Sequence, residues 1–273
     1  MTQSLKPARD FRMTAVTAGR VLAFHKDRVV VKATSASAVL PGPDELTSAG
    51  LAVDTRLRLG SIQGQAYSGW ALSHRPDLPE GYALAGLRSL FGGMDEADFQ
   101  MAGYALQLLN WVADNRFCGR CGTAMTLAEG DRALVCGACR HTIYPRISPA
   151  IIVAITAGNR LLLARYGRFP KKRMFSVIAG YVEPGETLED CVRREIREEV
   201  GLTVRHIRYF GSQAWPFSGS LMVGFTAEHA GGQIQVDGEE ILEADWFAPD
   251  RLPEIPGKIS IARQLIDWFV DNH

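Results

Sequence analysis

The sequence predicts a mixed α/β (α+β) protein built from three consecutive parts. In the first part, residues 1–115, short runs with strand-like alternation precede a helix pattern that starts near Asp95. The second part, residues 116–144, contains four clustered cysteines. The third part, residues 145–273, opens with two strand-like runs around a Gly-Asn turn and closes with an amphipathic helix pattern. These observations indicate an N-terminal α+β domain, a small ribbon and a second domain of strands and helices.

Composition narrows the functional classes. The chain has 30 basic and 30 acidic residues. Its net charge therefore does not indicate a protein that binds polyanions such as nucleic acids. No apolar stretch approaches the length of a membrane span, and the first residues lack the apolar run of a signal peptide. We therefore expect a cytoplasmic protein. A reducing compartment favours a metal site over disulfides for clustered cysteines.

The first part carries no catalytic constellation. Its runs VLAFHKDRVVVKAT (21–34) and LRLGSIQGQAYSGWAL (57–72) alternate like strands, and the segment from Asp95 to Val112 has helical spacing with Asp95 as its cap. The sequence shows no internal repeat. We interpret residues 1–115 as a scaffold or dimerisation domain.

The cysteine segment predicts a structural zinc site. Cys118 and Cys121 form one C-x-x-C pair, and Cys136 and Cys139 form a second pair after fourteen residues. Zinc prefers four soft ligands in a tetrahedron, which two such pairs supply. A site closed by four thiolates leaves no position for a catalytic water, so we expect the zinc to hold the ribbon together. Zinc ribbons also bind nucleic acids, so this feature alone does not select a function.

A carboxylate-rich helix is the most informative segment. Thr187 resembles a helix cap, and Gly201 stands where a helix ends. Between them, Glu195, Glu198 and Glu199 are spaced i, i+3, i+4 and share one face. An adjacent apolar stripe would pack the helix on a sheet. The arginines Arg193, Arg194 and Arg197 are expected on the opposite side, with Arg194 able to pair with Glu198.

Three like charges on one helix face repel each other, and divalent cations would remove that repulsion. Carboxylate oxygens suit Mg²⁺ or Mn²⁺, which bridge substrate phosphates. This chemistry indicates hydrolysis of a phosphoryl compound by a metal-activated water. The alternative is a solvated acidic face with arginine pairs one turn apart, which is common on helices.

The whole segment resembles the Nudix box, G-x5-E-x7-R-E-U-x-E-E-x-G-U with U aliphatic. It matches at every fixed position: Gly180, Glu186, Arg194, Glu195, Ile196, Glu198, Glu199, Gly201 and Leu202. The resemblance implies an α/β/α sandwich around a mixed sheet and hydrolysis of a nucleoside diphosphate linked to another moiety. It also implies metal binding by Glu195, Glu198, Glu199 and the Ala179 carbonyl, with Glu199 foremost in catalysis. Gly180, Glu186 and Arg194 are then supporting residues.

Residues 212–222, SQAWPFSGSLM, resemble the SQPWPFPxS signature of the NADH pyrophosphatase branch, whose members also carry a four-cysteine zinc segment. Ala214 and Ser218 replace its two internal prolines, which would loosen a loop that proline normally stiffens. The resemblance implies a substrate site with two stacking aromatics, Tyr144 and Tyr181; well-known members often have Phe at the second position. The further implied contacts are Gln213, Ala214, Trp215, Pro216, Phe217, Ser218, Gly219, Ser220, Asp131 and Ala262, with Glu240 as an additional metal ligand.

The leading hypothesis is hydrolysis of NADH or NAD⁺ to NMN(H) and AMP, with removal of NAD caps from RNA 5′ ends as a second reaction. The alternative enzyme is a Nudix hydrolase of another compound, such as ADP-ribose. The alternative of another class is a zinc-ribbon nucleic-acid binder with an inactive Nudix fold, against which the complete glutamate set argues. The branch resemblance also implies a homodimer.

Overall fold

The computed structural model describes residues 4–12, 19–33, 37–167 and 173–273. The chain folds into two compact units, residues 1–146 and 147–273. Among the described residues, no helix is both long and apolar enough to span a membrane.

The first unit contains a large sheet, a ribbon and two α-helices. Its strands in the large sheet are β1 (Leu5–Pro7), β2 (Arg20–His25), β3 (Arg28–Ala33), β4 (Ala38–Val39), β5 (Val53–Ile62), β6 (Gln65–Leu72) and β7 (Tyr82–Gly86). Its helices are α1 (Pro43–Ser48) and α2 (Glu96–Asp114), and Leu87–Leu90 forms a 3₁₀ turn. The ribbon consists of β8 (Met125–Leu127), β9 (Leu134–Cys136) and β10 (Thr142–Ile143), paired antiparallel in the order β10-β9-β8.

Helix α2 begins where the sequence predicted it. The Asp95 side chain accepts hydrogen bonds from the backbone N–H groups of Ala97 and Asp98 at 3.0 and 3.2 Å, which satisfies donors that the first helical turn leaves open. The helix packs on β5, β6 and β2. Its buried residues include Met101 and Leu106, in agreement with the predicted helical spacing.

The second unit is a mixed sheet between two helices. Its strands are β11 (Ser148–Thr156), β12 (Leu161–Tyr166), β13 (Ile178–Tyr181), β14 (Thr203–Trp215), β15 (Ser220–Gly231) and β16 (Ile241–Phe247). Its helices are α3 (Leu188–Val200) and α4 (Ile261–Asn272). The strand order is β14-β15-β11-β12-β16, with β13 also paired to β11. Among the described pairs of this sheet, only β11–β15 is parallel.

Strand β11 shows why this unit has three layers. Its alternate side chains Ile151, Val153 and Ile155 lie in the core that α3 covers, whereas Ile152 and Ala154 lie in the core that α4 covers. Successive side chains of a strand point to opposite faces, so an uninterrupted apolar run requires cover on both. The α/β/α sandwich with a mixed sheet is therefore confirmed.

The strand order of the second unit recurs in the first. Strands β5-β6-β2-β3-β7 pair in the same order and orientation as β14-β15-β11-β12-β16, including the parallel pair, here β2 with β6. Helix α2 packs on β6, β5 and β2, the counterparts of the strands under α4. Along the chain, the six-residue α1 lies between β3 and β5, where the second unit has the thirteen-residue α3 between β12 and β14. The absence of a repeat in the sequence thus does not extend to the fold.

Candidate active site and zinc centre

Helix α3 begins and ends by the predicted local signals. The Thr187 hydroxyl accepts from the Asp190 backbone N–H at 3.2 Å, and Gly201 ends the helix with φ of 70°. Val192 and Ile196 are fully buried against the sheet. This packing brings the neighbouring carboxylates of Glu195 and Glu199 close to the sheet.

The three glutamates of α3 differ in burial. Glu199 is 3% exposed and Glu195 is 9% exposed, whereas Glu198 is exposed. Burying two carboxylates close together is unfavourable unless each is paired or binds a cation. The burial therefore argues against the alternative of a merely solvated acidic face.

Gly180 provides the space that Glu195 occupies. A Cβ atom at Gly180 would overlap the Glu195 carboxylate. Gly180 lies in β13, which pairs with β11, so its backbone position is held by the sheet. The glycine of the box is thus required by a close approach of side chain to backbone.

We expect Gly180→Ala to lower kcat/KM at least about tenfold, because the Glu195 carboxylate must move away from its position by more than the tolerance of a preorganised site. Steady-state rates and a thermal melt test this. Gly211→Ala, on β14, is the matched control, since its added Cβ would meet no atom within 4 Å. A Gly180→Ala enzyme with the wild-type rate would contradict this account of the glycine.

Arg194 connects the carboxylates. It makes a two-pronged ion pair with Glu186 at 2.8 and 2.9 Å, and it also donates to Glu195 at 2.8 Å and Glu198 at 3.0 Å. A further bond of 3.0 Å reaches the Tyr181 carbonyl. The expected pair with Glu198 is confirmed. The expectation that Arg194 lies on the opposite side from the glutamates is wrong. Its long side chain bends towards them, because hydrogen bonds to four acceptor groups replace its contacts with water.

Burial and ion pairing shift the pKa values of Glu186 and Glu195 in opposite directions. The hydrogen bonds from Arg194 lower the pKa of Glu186 to about 2. Burial raises the pKa of Glu195 despite the attraction of Arg194, and the nearby charges of Glu198 and Glu240 raise it further. Like charges around a buried carboxylate are the condition under which a divalent cation binds most favourably.

Tyr166 is a site residue that the sequence analysis missed. Its hydroxyl accepts from the Ala179 backbone N–H at 2.9 Å and lies 3.3 Å from the Val177 carbonyl and 3.5 Å from Glu199 Oε2. The signal was present in LLLARY, where alternation places Tyr166 on the face of Leu162 that packs beneath α3. The tyrosine links the backbone at Ala179 to the most buried glutamate.

Glu240 lies in the turn before β16. Its backbone N–H donates to Asp237 at 3.1 Å, and its carbonyl accepts from the Gly167 N–H at 2.8 Å. Its influence on the pKa of Glu195 indicates that its charge lies near the α3 carboxylates.

The SQAWPFSGS segment forms the hairpin between β14 and β15. Residues 216–219 make the turn, and Trp215 pairs with Ser220 across it. The rings of Trp215 and Phe217 meet edge to face with centroids 4.9 Å apart. The expected loop is therefore mostly strand, with only Pro216, Phe217, Ser218 and Gly219 outside the ladder.

The side chains of Gln213 and Ala262 both take part in internal contacts of the second unit. The Gln213 amide donates to the Ile259 carbonyl at 2.8 Å and accepts from the Ile261 N–H at 2.7 Å, which fixes the start of α4 to β14. Ala262 lies in the first turn of α4 with its side chain buried in the core under that helix. The Ala262 side chain is therefore not accessible to a ligand.

Tyr144 and Asp131 lie together in the first unit. The Tyr144 hydroxyl donates to Asp131 Oδ2 at 2.8 Å, and the Tyr144 ring is exposed. The hydrogen bond restrains the ring while leaving its faces open.

The four clustered sulfurs converge as predicted. Their ligand atoms lie within 4.8 Å of one another, with Sγ–Sγ distances of 3.6 Å for Cys118–Cys139 and 3.5 Å for Cys121–Cys136 and Cys121–Cys139. A tetrahedron with Zn–S bonds of about 2.3 Å has sulfurs about 3.8 Å apart, so the cluster fits zinc. Cys191 lies apart from it, buried in the core, where burial raises the pKa of its thiol to about 12.

The described site has the features of a Nudix-type hydrolase: a loop–helix–loop that gathers carboxylates on an α/β/α sandwich. The NUDIX domain model matches residues 146–269, the NADH pyrophosphatase zinc ribbon model matches 113–144, and the NADH pyrophosphatase-like rudimentary NUDIX model matches 18–111. The last match accords with the strand order that the two units share. The first part therefore also matches a model of this branch, although its sequence carries no recognisable motif of the family.

Relatives of known name agree with these matches. The protein named NAD-capped RNA hydrolase NudC from Stutzerimonas stutzeri (strain A1501) is 47% identical over 212 residues, which are 78% of this chain and 76% of that protein. Its namesake from Pseudomonas putida (strain GB-1) is 42% identical over 255 residues, 93% and 91% of the two chains. A solved NUDIX hydrolase from Nitrosomonas europaea has the same fold, with a TM-score of 0.51 and 23% identity over 58% of this chain and 92% of its own. The chain belongs to the Nudix hydrolase family, as a pyrophosphohydrolase with a structural zinc ribbon.

Proposed function

We propose that this protein hydrolyses the diphosphate bond of NADH or NAD⁺ to give NMN(H) and AMP. The observation that carries the proposal is the buried Glu195–Glu199 pair together with Tyr181, which ends β13 and is 51% exposed. Arg194 links them, because it donates both to Glu195 and to the Tyr181 carbonyl. An aromatic face next to a phosphate-hydrolysing site suits a planar ring attached to a diphosphate. The names of the relatives favour the same substrate class.

The donor set suits Mg²⁺ or Mn²⁺. Oxygen ligands are available from Glu195, Glu198, Glu199 and Glu240 and from the Ala179 carbonyl, and hard divalent cations prefer such ligands. When bound, the cations supply charge neutralisation at the phosphates and an acidified water. The like charges of Glu198 and Glu240 near the buried Glu195 favour a cation at this position.

Side chains of the protein itself activate the water and position the carboxylates. Glu199, buried and held near the Tyr166 hydroxyl, accepts the proton of the attacking water or orients that water. Arg194 keeps Glu195 and Glu198 in place, and Glu186 holds Arg194 through its paired oxygens. The roles of Arg194 and Glu186 are positional, so the loss of either side chain would act mainly on kcat.

The substrate surface extends from Tyr181 to the hairpin tip. We assign it the side chains or backbone of the hairpin residues, Tyr181 and Ala262, each as a proposal. In the first unit, Tyr144 and Asp131 stay separate predictions of substrate contacts. The hairpin members are Gln213, Ala214, Trp215, Pro216, Phe217, Ser218, Gly219 and Ser220. Both polar atoms of the Gln213 amide already bond the start of α4. We therefore infer that Gln213 supports the substrate surface without contacting the substrate through its amide. Ala262 would contribute its backbone.

Four further points stay predictions: removal of NAD caps from RNA, a homodimer, a cytoplasmic location, and the division into domains at 1–115, 116–144 and 145–273. For the first domain the shared strand order supports a scaffold role, since α1 lacks the acid triplet of α3. Sedimentation of the purified protein tests the dimer.

Initial rates on NADH, NAD⁺, ADP-ribose and NAD-capped RNA, side by side with Mg²⁺ and Mn²⁺, test the proposed substrate. We expect the nicotinamide dinucleotides or the capped RNA to exceed ADP-ribose in kcat/KM. A preference for ADP-ribose would replace the proposal with the alternative Nudix activity. Absence of hydrolysis with retained RNA binding would favour a binding protein.

We expect Tyr181→Ala to lower kcat/KM for NADH about twofold to tenfold more than for ADP-ribose, which lacks nicotinamide. The reason is the loss of a stacking face, worth about 0.5–1.5 kcal/mol beyond buried area. Tyr209→Ala is the matched control, since Tyr209 is also exposed and lies on β14. Equal losses on the two substrates would remove Tyr181 from the nicotinamide site.

A further inference from the structure

Two departures from the family motif meet in one hydrogen-bonded chain. Ser218 stands where the SQPWPFPxS signature has proline, and Tyr181 stands where well-known members often have phenylalanine. The Ser218 and Ser220 hydroxyls are 2.8 Å apart, and the Ser220 hydroxyl is 3.2 Å from that of Tyr181. The two replacements each add a hydroxyl, and both hydroxyls bond the same serine.

Ser220 is a fixed point for this chain. It is 1% exposed, starts β15, and pairs with Trp215 across the hairpin. The adjacent Gly219 carbonyl accepts from the Ser148 N–H at 3.0 Å, which attaches the turn to β11. A buried hydroxyl in a paired strand loses little further entropy when it bonds its neighbours.

Tyr181 is held at both ends. Its carbonyl accepts from Arg194 Nη2 at 3.0 Å and from the Cys191 thiol at 3.3 Å. Its hydroxyl bonds Ser220, while the residue as a whole stays half exposed. The ring therefore has a set orientation with a face open to solvent.

We propose that the hydroxyl chain Tyr181–Ser220–Ser218 stiffens the hairpin tip in place of the missing proline and sets the orientation of Tyr181 as a specificity-determining stacking face. Proline stiffens a turn by restricting φ before folding. The hydroxyl chain stiffens the same turn by bonds made in the folded state, and it couples the turn to the aromatic ring. A ring oriented in advance loses less entropy when a ligand stacks on it.

The consequence for selectivity rests on the proposed function. If the ring stacks on nicotinamide, each hydroxyl contributes to the binding of NADH and little to the binding of ADP-ribose. Because the two outer hydroxyls act through one chain, removing either breaks the coupling between turn and ring. Removing both then adds little.

The test is a double-mutant cycle of Tyr181→Phe and Ser218→Ala in the full-length protein, with two readouts. Hydrogen exchange of the amides in residues 214–221, read by mass spectrometry, measures the stiffness of the hairpin. KM for NADH and for ADP-ribose measures the effect on the substrate. Tyr209→Phe is the matched control, because it removes a hydroxyl bonded to Ser212 on β14, outside this chain.

Each single variant is expected to accelerate hairpin exchange and to raise KM for NADH about threefold, within the range of one neutral hydrogen bond. The double variant is expected to match the singles, not to multiply to about ninefold. Unchanged exchange in both singles, or a multiplicative double variant, would overturn the proposal. Hydrogen exchange tests the hydroxyl chain in the absence of any substrate. Its result can therefore be interpreted even if the wild-type protein does not hydrolyse NADH.

Discussion

Replacing Glu199 with glutamine is expected to lower kcat on NADH at least about a hundredfold, because general-base assistance alone is worth about 10²–10⁴-fold. The change is nearly isosteric, so the helix packing around this buried side chain should survive. It removes one negative charge from the carboxylate cluster and eliminates a proton acceptor. Steady-state kinetics at saturating Mg²⁺, with a thermal melt of the same preparation, measure the effect. KM should change less than kcat.

Glu189→Gln is the matched control for this experiment. Glu189 lies in the same helix but is exposed and outside the box, so its neutralisation should leave the rate nearly unchanged. A folded Glu199→Gln protein with a rate close to wild type would remove Glu199 from the chemistry. The inactive-fold, nucleic-acid-binding alternative would then become the better interpretation.

Loss of a zinc ligand is expected to have the largest effect on stability. Cys136 is fully buried at the end of β9, and its sulfur lies 3.5 Å from that of Cys121. Metal-binding energy is folding energy in small ribbons. Cys136→Ser should therefore release the zinc and lower the melting temperature by at least about 5 °C, since a few kcal/mol shifts a protein of this size by such an amount.

Metal analysis of the purified variant and a thermal melt check this expectation. Cys191→Ala is the matched control: it removes a buried thiol outside the cluster, so it should keep its zinc while losing some packing. A Cys136→Ser protein that lacks metal and keeps the full wild-type stability would show that the ribbon does not need zinc.

The first unit marks one limit of inference from the sequence. Its strands and helix α2 could be read from alternation and from the Asp95 cap, but their assembly into a second Nudix-like sheet could not. The recognisable motif of the family is the acid-bearing helix. Where the six-residue α1 takes that place, no motif remains to reveal the shared fold.

The sequence by itself determined the features whose residues lie within one short segment of the chain. The cysteine spacing, the order of the box residues, and the cap and stop of α3 all act within one segment, so their local geometry follows from helix periodicity and turn preferences alone. Those features predicted the zinc cluster, the helix and the family.

Only the tertiary structure decided which side chains meet across the fold. Arg194 turns back onto Glu186 and Glu195, Gly180 leaves room for a carboxylate fifteen positions later, and Tyr181 meets Ser220 thirty-nine positions away. Such contacts depend on strand register, side-chain rotamers and the competition between burial and hydrogen bonding. These are properties of the packed sheet, and no spacing along the chain expresses them.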